Sequence, residues 1–101
     1  MRPIEIPDRW IVLTIKDTVG TFDKVLMGWS GGYLDADRWR VNSSILEVID
    51  EGDAYLFIGA TGSRYRCYKT RYGTTIMSQN ILHTLQHDSP PGTITISERY
   101  P

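Results

Sequence analysis

Residues 50–69 read Asp-Glu-Gly-Asp-Ala-Tyr-Leu-Phe-Ile-Gly-Ala-Thr-Gly-Ser-Arg-Tyr-Arg-Cys-Tyr-Lys and contain two turn signals. Residues 50–53 and 59–62 are rich in glycine and acidic or small polar side chains, which tight turns favour. Residues 54–58 and 63–69 are rich in aromatic residues, which are typical of strands. Turns this short join antiparallel neighbours. Together with the preceding strand, these residues predict a three-stranded meander.

Further strands are indicated on both sides of the meander in the sequence. In residues 9–16, Ile11, Leu13 and Ile15 share one face and Trp10 and Val12 share the other, so both faces of this strand are expected to be covered. Further strands are predicted over residues 22–29, 38–44, 45–49 and 93–100, with an extended arm over residues 1–7 and a bend at residues 42–44.

One helix is predicted over residues 75–86. Met77, Ile81 and Leu85 form an apolar stripe at helical spacing, flanked by Ile76 and Leu82. The Pro- and Gly-containing run at 88–92 ends it. We therefore expect a single α+β domain over residues 1–101. In it, one curved antiparallel sheet of about six strands packs against one helix near the C-terminus.

Composition excludes several classes of function. The net charge of −1 provides no global basic field, so nucleic acid is not an expected partner. No apolar run approaches the ~18 residues of a membrane span, and the first residues lack a signal peptide. Cys67 is the only cysteine, which suits a reducing compartment. The expected location is the cytoplasm of a bacterial host cell.

Candidate metal and catalytic residues are weak. His83 and His87 are four residues apart but point away from the apolar stripe, and the acidic loops lack the ligands of a calcium site. Cys67 alternates with Tyr65 in a strand, which indicates a buried, inert thiol. We expect no metal, no cofactor and no enzymatic activity, because no base and nucleophile can be paired.

The most distinctive composition lies between residues 29 and 44. Aromatic rings, arginines and small polar groups gather there around glycines, and two arginines of the meander are expected to add to them. The candidate binding residues are Trp29, Ser30, Tyr33, Trp39, Arg40, Asn42, Ser43, Arg64 and Arg66. Such a set suits a planar anionic ligand, through stacking and phosphate contacts, or a protein interface. Alternatively, Trp29 or Trp39 belongs to the core, and the arginines form a solvated outer face.

Residues 29–35, Trp-Ser-Gly-Gly-Tyr-Leu-Asp, and residues 39–45, Trp-Arg-Val-Asn-Ser-Ser-Ile, resemble a family of small proteins from bacteria and their phages. The resemblance extends to Pro-Asp-Arg-Trp at residues 7–10 and to Gly62-Ser63 with Tyr65 and Cys67. It implies a compact accessory protein, phage-borne in some relatives, that acts by binding. It implies no catalytic residue.

Three functional hypotheses remain open. The first is a non-catalytic protein that binds a host or phage protein and inhibits a defence system. The second is binding or sequestration of a nucleotide-like anion. The third is a phosphodiester-cleaving enzyme. Homo-oligomerisation also stays open, since a pocket shared by two protomers would fit the same residues.

Overall fold

The computed structural model describes residues 3–30 and 38–101. Over these residues the chain forms eight strands and one α-helix. The strands are β1 (Ile4–Glu5), β2 (Arg9–Lys16), β3 (Thr21–Trp29), β4 (Arg38–Val41), β5 (Ile45–Asp50), β6 (Ala54–Gly59), β7 (Arg64–Tyr68) and β8 (Ile94–Ile96). The helix α1 spans Ile76–His87, and a short 3-10 turn, Lys69–Arg71, follows β7.

The strands divide between two four-stranded sheets. The outer sheet has the order β1-β7-β6-β5, and the central sheet has the order β4-β3-β2-β8. The α+β class, the β5-β6-β7 meander and the β2-β3 hairpin are confirmed. The expectation of one sheet of about six strands needs correction, because the strands separate into two sheets. Residues 1–7 also contain more than an arm, since Ile4 and Glu5 pair with β7 in parallel.

The chain changes sheets at Asn42. Its backbone N–H donates to the Val25 carbonyl at 3.1 Å, and its side-chain Oδ1 accepts the Val25 N–H at 2.8 Å. The side chain thereby replaces a ladder bond where β4 ends, and the backbone turns away to begin β5 in the other sheet. Asn42 is buried, so this hydrogen bond also satisfies a backbone group that would otherwise be unpaired.

The central sheet is covered on both faces. Trp10 and Val12 of β2 pack in one cluster with Phe57, Tyr65 and Cys67 of the outer sheet. On the opposite face, a second cluster joins the central sheet to the helix; its buried members are Ile11, Leu13, Leu26 and Leu82. The domain therefore has three layers, outer sheet, central sheet and helix, as the unbroken apolar run in β2 requires.

Thr75 begins the helix. Its hydroxyl accepts the Ser78 N–H at 3.1 Å, while the Ser78 hydroxyl accepts the Thr75 N–H at 2.8 Å, which completes a capping box. Leu82 is the most deeply buried apolar side chain of the helix, and Ile81 and Leu85 pack beside it. Ile76, expected to flank the apolar stripe, is 83% exposed.

Candidate functional site

The structure places the aromatic part of the predicted site at the edge of the central sheet. Trp29 ends β3 and donates from Nε1 to the Ile6 carbonyl at 3.0 Å. The guanidinium of Arg38 lies 4.7 Å from the centroid of the Trp29 ring, a cation–π contact. The Ser30 N–H donates to the Asp8 carboxylate at 2.8 Å. Trp29 and Ser30 thus fasten the end of β3 to the segment between β1 and β2.

Trp39 and Tyr33 are two further residues of the predicted binding site. Trp39 lies opposite Gly28 in the β3-β4 ladder and is 43% exposed. Tyr33 lies outside the described residues. Trp39 is therefore partly accessible on the edge strand, whereas Trp10 fills the centre of the core with no exposed surface. Trp29 is half-buried and packs against the same core cluster as Trp10, so the alternative that Trp29 belongs to the core holds in part.

The small polar residues after β4 hold the turn between β6 and β7. The Ser43 hydroxyl lies 3.2 Å from the Thr61 hydroxyl and accepts the Thr61 N–H at 3.3 Å. A methyl group built on Gly59 would lie 2.6 Å from that same Ser43 oxygen, so the turn closes on Ser43 only because residue 59 is glycine. Asn42 Nδ2 is buried and lacks a hydrogen-bond partner among the described residues.

Arg66 forms an ion pair with Glu51. Its Nε and Nη2 donate to the two carboxylate oxygens of Glu51 at 2.8 and 3.2 Å, a bidentate pair. Beside it, Lys69 Nζ donates to Asp50 at 2.9 Å. The hydrogen bonds from these cations lower the pKa of the Glu51 and Asp50 carboxyl groups. Arg66 therefore serves to fix the β5-β6 turn against β7.

Arg40 and Arg64 come together in one cleft, which we call the arginine cleft. Both line a small space of about 180 Å³. The other lining residues are Pro3, Glu5 and Ser63. Arg40 Nη1 donates to Glu5 Oε2 at 2.9 Å and to the Tyr65 hydroxyl at 3.4 Å. The Tyr65 hydrogen bond and, next, the Glu5 charge raise the pKa of Arg40.

The strand β5 carries a feature that the sequence reasoning missed. It ends the outer sheet, so within the described residues it has a strand neighbour on one side only. Leu46, Val48 and Ile49 are 71%, 36% and 40% exposed. The β5-β6 register shifts between Ile45 and Glu47, which makes Leu46 the extra residue of a bulge. A broken alternation, Ile-Leu-Glu-Val-Ile, was the available signal for this apolar edge.

An open groove of about 430 Å³ runs beside this edge. Its walls are β5 on one side and the beginning of β3 with the C-terminal residues Arg99 and Tyr100 on the other. Tyr100 reaches into the aromatic core, where its ring lies 5.2 Å from that of Tyr55 and 5.5 Å from that of Phe57. The groove therefore opens directly beside the core between the two sheets.

Cys67 and the two histidines of the helix have the burial and exposure that the sequence predicts. Cys67 is buried, and burial raises the pKa of its thiol. His83 and His87 are exposed on α1. In the described part of the chain, no group of three or more His, Cys, Asp or Glu side chains could hold a metal ion. Over the same residues, no helix is long and apolar enough to cross a membrane.

Comparison with known proteins adds no relative. The chain matches no protein-family model, no curated protein and no solved structure.

Proposed function

We propose that this domain is a non-catalytic protein-binding module that pairs an extended segment of another protein with the open edge of β5. The observation that carries the proposal is the exposure of Leu46, Val48 and Ile49, three aliphatic side chains on one edge strand. Natural edges are usually protected by charge, proline or a covering element, because unpaired backbone groups and apolar side chains together invite another strand. An edge with these properties suits β-strand addition.

The groove beside β5 would give such an interaction specificity. Val48 lies opposite Phe57 in the β5-β6 register, and Phe57 points into the core between the sheets. Directly opposed residues share a face of the sheet. A strand added beyond β5 would therefore direct every second side chain toward the groove lined by Phe22 and Tyr100. Backbone hydrogen bonds would supply affinity, and these inward side chains would select the partner.

The charge of β5 indicates the chemistry of the partner strand. Its only ionisable residues are Glu47 and Asp50, and Glu47 forms no ion pair among the described residues. A lysine or arginine opposite Glu47 would complement it, since opposite charges directly across a ladder stabilise the pair. We propose an extended segment that alternates apolar and basic residues.

A second copy of the chain fits the same edge less well. Antiparallel pairing of β5 with itself sets Glu47 opposite an aliphatic residue or another carboxylate in every register. Neither arrangement compensates its charge. A different protein is therefore the proposed occupant, and the resemblance of residues 29–45 to bacterial and phage proteins makes a host or phage protein the expected source.

The test uses a synthetic peptide of alternating valine and lysine and its valine-glutamate counterpart. Titration into the labelled domain, followed by amide NMR shifts, should show shifts along β5 with the lysine peptide only. Leu46→Lys should weaken binding about 5- to 30-fold, because burying an exposed leucine contributes about 1–2 kcal/mol. Ile76→Lys is the matched control, since Ile76 is 83% exposed at the start of the helix and does not line the groove.

Two results would contradict the proposal. If both peptides bind equally, or if the shifts lie away from β5, the edge is not a charge-selective docking site. If light scattering of the free domain shows a dimer that Leu46→Lys dissociates, the occupant is a second copy and the partner assignment is wrong.

A further inference from the structure

The backbone hydrogen bonds of the outer sheet determine which groups of β5 face its open side. The Glu51 N–H donates to the Ala54 carbonyl at 2.8 Å, so this pair of residues is hydrogen-bonded. Along an antiparallel ladder, hydrogen-bonded pairs alternate with pairs that exchange no bonds. Counted from Glu51, the β5 residues Asp50 and Val48 belong to pairs that exchange no bonds with β6. A strand added antiparallel to β5 would therefore form its hydrogen bonds with the backbone groups of Val48 and Asp50.

The residue of the added strand that pairs with Val48 would enter the groove beside β5. Val48 lies opposite Phe57, whose side chain is part of the core between the two sheets. Directly opposed residues place their side chains on the same face of a sheet. The paired residue would therefore point toward the central sheet, into the space of about 430 Å³ that Val48 also lines. This volume lies within the ~300–1,000 Å³ of pockets that hold drug-sized ligands, so a large side chain fits.

The groove combines apolar walls with a carboxylate. Val48 lines it on one side and Tyr100, which packs partly buried against the core, lines it on the other. Asp23 also lines the groove and lies two residues before Val25, whose side chain is in the core cluster between the sheets. Alternate residues of a strand share a face, so Asp23 points into the same space. A side chain with an apolar ring and a polar tip would match both surfaces.

The Asp23 carboxylate has capacity for a further hydrogen bond. It accepts the Thr14 hydroxyl on Oδ1 at 3.0 Å, and Arg99 Nη1 lies 3.7 Å from Oδ2. A carboxylate offers about four acceptor positions, and the Asp23 side chain is still 24% exposed. Because Arg99 already compensates the charge of Asp23, a second cation entering the groove would be repelled by Arg99. A neutral donor is therefore favoured over a lysine or an arginine.

We propose that the groove binds a tyrosine side chain of the partner segment, carried by the residue that pairs with Val48. The inference rests on the proposed docking of a strand on β5 and identifies the anchor residue of that strand. The tyrosine ring would pack between Val48 and Tyr100, and its hydroxyl would donate to Asp23. Tyrosine combines a large apolar ring with a hydrogen-bonding tip, and it is enriched among the residues that contribute most to protein binding.

The test compares three peptides that differ only at the central valine of the valine-lysine peptide, which is kept or replaced by phenylalanine or tyrosine. Amide NMR titration of the labelled domain measures each affinity. The tyrosine peptide should bind about tenfold tighter than the valine peptide and about threefold tighter than the phenylalanine peptide, because ring packing and one net hydrogen bond are lost in turn. In the tyrosine complex, the amides of Val48 and Asp50 should gain protection from hydrogen exchange.

Asp23→Ala separates the hydroxyl contact from the ring contact. It should abolish the preference for tyrosine over phenylalanine and keep the preference for phenylalanine over valine, a pattern that a merely structural role of Asp23 would not produce. Asp88→Ala is the control, because Asp88 is exposed at the end of the helix, lies outside the groove and loses the same charge. Unfolding curves show whether each variant is folded. If Asp23→Ala does not fold, Tyr100→Leu decides the question, since it should reduce the preference for both aromatic peptides over the valine peptide.

Failure of this inference is distinguishable from failure of the proposed function. If the valine-lysine peptide binds β5 and the tyrosine peptide binds no tighter, the anchor assignment is overturned while docking on β5 stands. If none of the peptides causes shifts along β5, both are overturned. The assignment is also wrong if Asp23→Ala keeps the preference for tyrosine over phenylalanine, or if Asp88→Ala abolishes it. Tighter binding of a fourth peptide with a central lysine would show that the groove selects a cation instead.

Discussion

Gly28→Ala tests how closely the helix start approaches the central sheet. A methyl group at residue 28 would lie 2.6 Å from the Thr75 hydroxyl oxygen, 2.8 Å from its methyl carbon and 3.1 Å from the Ser78 hydroxyl. Both side chains are buried and engaged in the capping box, so neither can rotate away without losing a cap hydrogen bond. The methyl group must therefore displace the helix start.

The cost has two parts. Loss of the cap is worth about 1 kcal/mol, and overpacking a well-packed site costs about 1–3 kcal/mol. The free energy of unfolding should therefore fall by about 2–4 kcal/mol. For a domain of this size, the melting temperature should fall by about 10–20 °C. Gly20→Ala is the control, because nothing lies within 4 Å of its added methyl group; its effect should stay within about 0.5 kcal/mol.

Urea unfolding followed by tryptophan fluorescence measures the free energy of unfolding of each variant. Adding Thr75→Gly, alone and combined with Gly28→Ala, completes a double-mutant cycle. Glycine is tolerated at an N-cap, and it removes the two atoms closest to the new methyl group, which leaves only the Ser78 hydroxyl at 3.1 Å. The double variant should therefore be more stable than the sum of the single effects predicts, by about 1 kcal/mol or more. If the two effects add, or if Gly28→Ala is neutral, the contact between β3 and the helix start does not determine stability.

Three further predictions follow from the packing and the charges. Leu82→Ala should lower the free energy of unfolding by about 3 kcal/mol and by more than Leu85→Ala, because Leu82 is 2% exposed and leaves the larger cavity; chemical denaturation of both variants checks the order. Cys67 should not react with a disulfide reagent near about pH 8 until the domain unfolds, because burial raises the pKa of its thiol; rapid reaction of the native domain would show that the β7 core opens readily. The lowered pKa values of Asp50 and Glu51 mean that their ion pairs stabilise the folded state above the usual carboxyl pKa and that this contribution is lost as the pH falls through the lowered values. The double variant Asp50→Asn with Glu51→Gln should therefore lose less stability than the wild-type domain below about pH 4. The melting temperature measured as a function of pH checks this, and the same decrease at acid pH in both proteins would contradict it.

Local sequence predicted most of the elements because their signals are local. The turns at residues 50–53 and 59–62 identify the meander, and the alternation in residues 9–16 correctly indicates a strand covered on both faces. The division into two sheets was not predictable in this way. It depends on the Asn42 side chain accepting the Val25 N–H, a contact across 17 residues. The parallel pairing of Ile4 with Arg64 joins residues that are even farther apart in the sequence.

The candidate site shows the same limit. Composition identified Arg40 and Arg64, and the fold brings both to one cleft. Composition could not show that Arg66 pairs with Glu51 or that Ser43 holds the β6-β7 turn. Arg66 forms an ion pair and Ser43 holds a turn, and the identity of a polar side chain alone does not reveal such a structural role. The exposed edge of β5 was missed because Ile, Leu and Val in a strand are usually buried. Only the sheet order shows that β5 has an open side.

The central sheet also determines when the domain can fold during synthesis. β2 pairs with β8 through contacts such as Leu13 with Ile96, so its last neighbour is made more than eighty residues later. At translation rates of about 5–20 residues per second, several seconds pass between the synthesis of β2 and that of β8, and the central sheet is incomplete during this time. Pairings this distant in the chain slow folding. The β5 edge is exposed during the same interval, so expression yield should depend on chaperone capacity and growth temperature more than equilibrium stability alone would suggest.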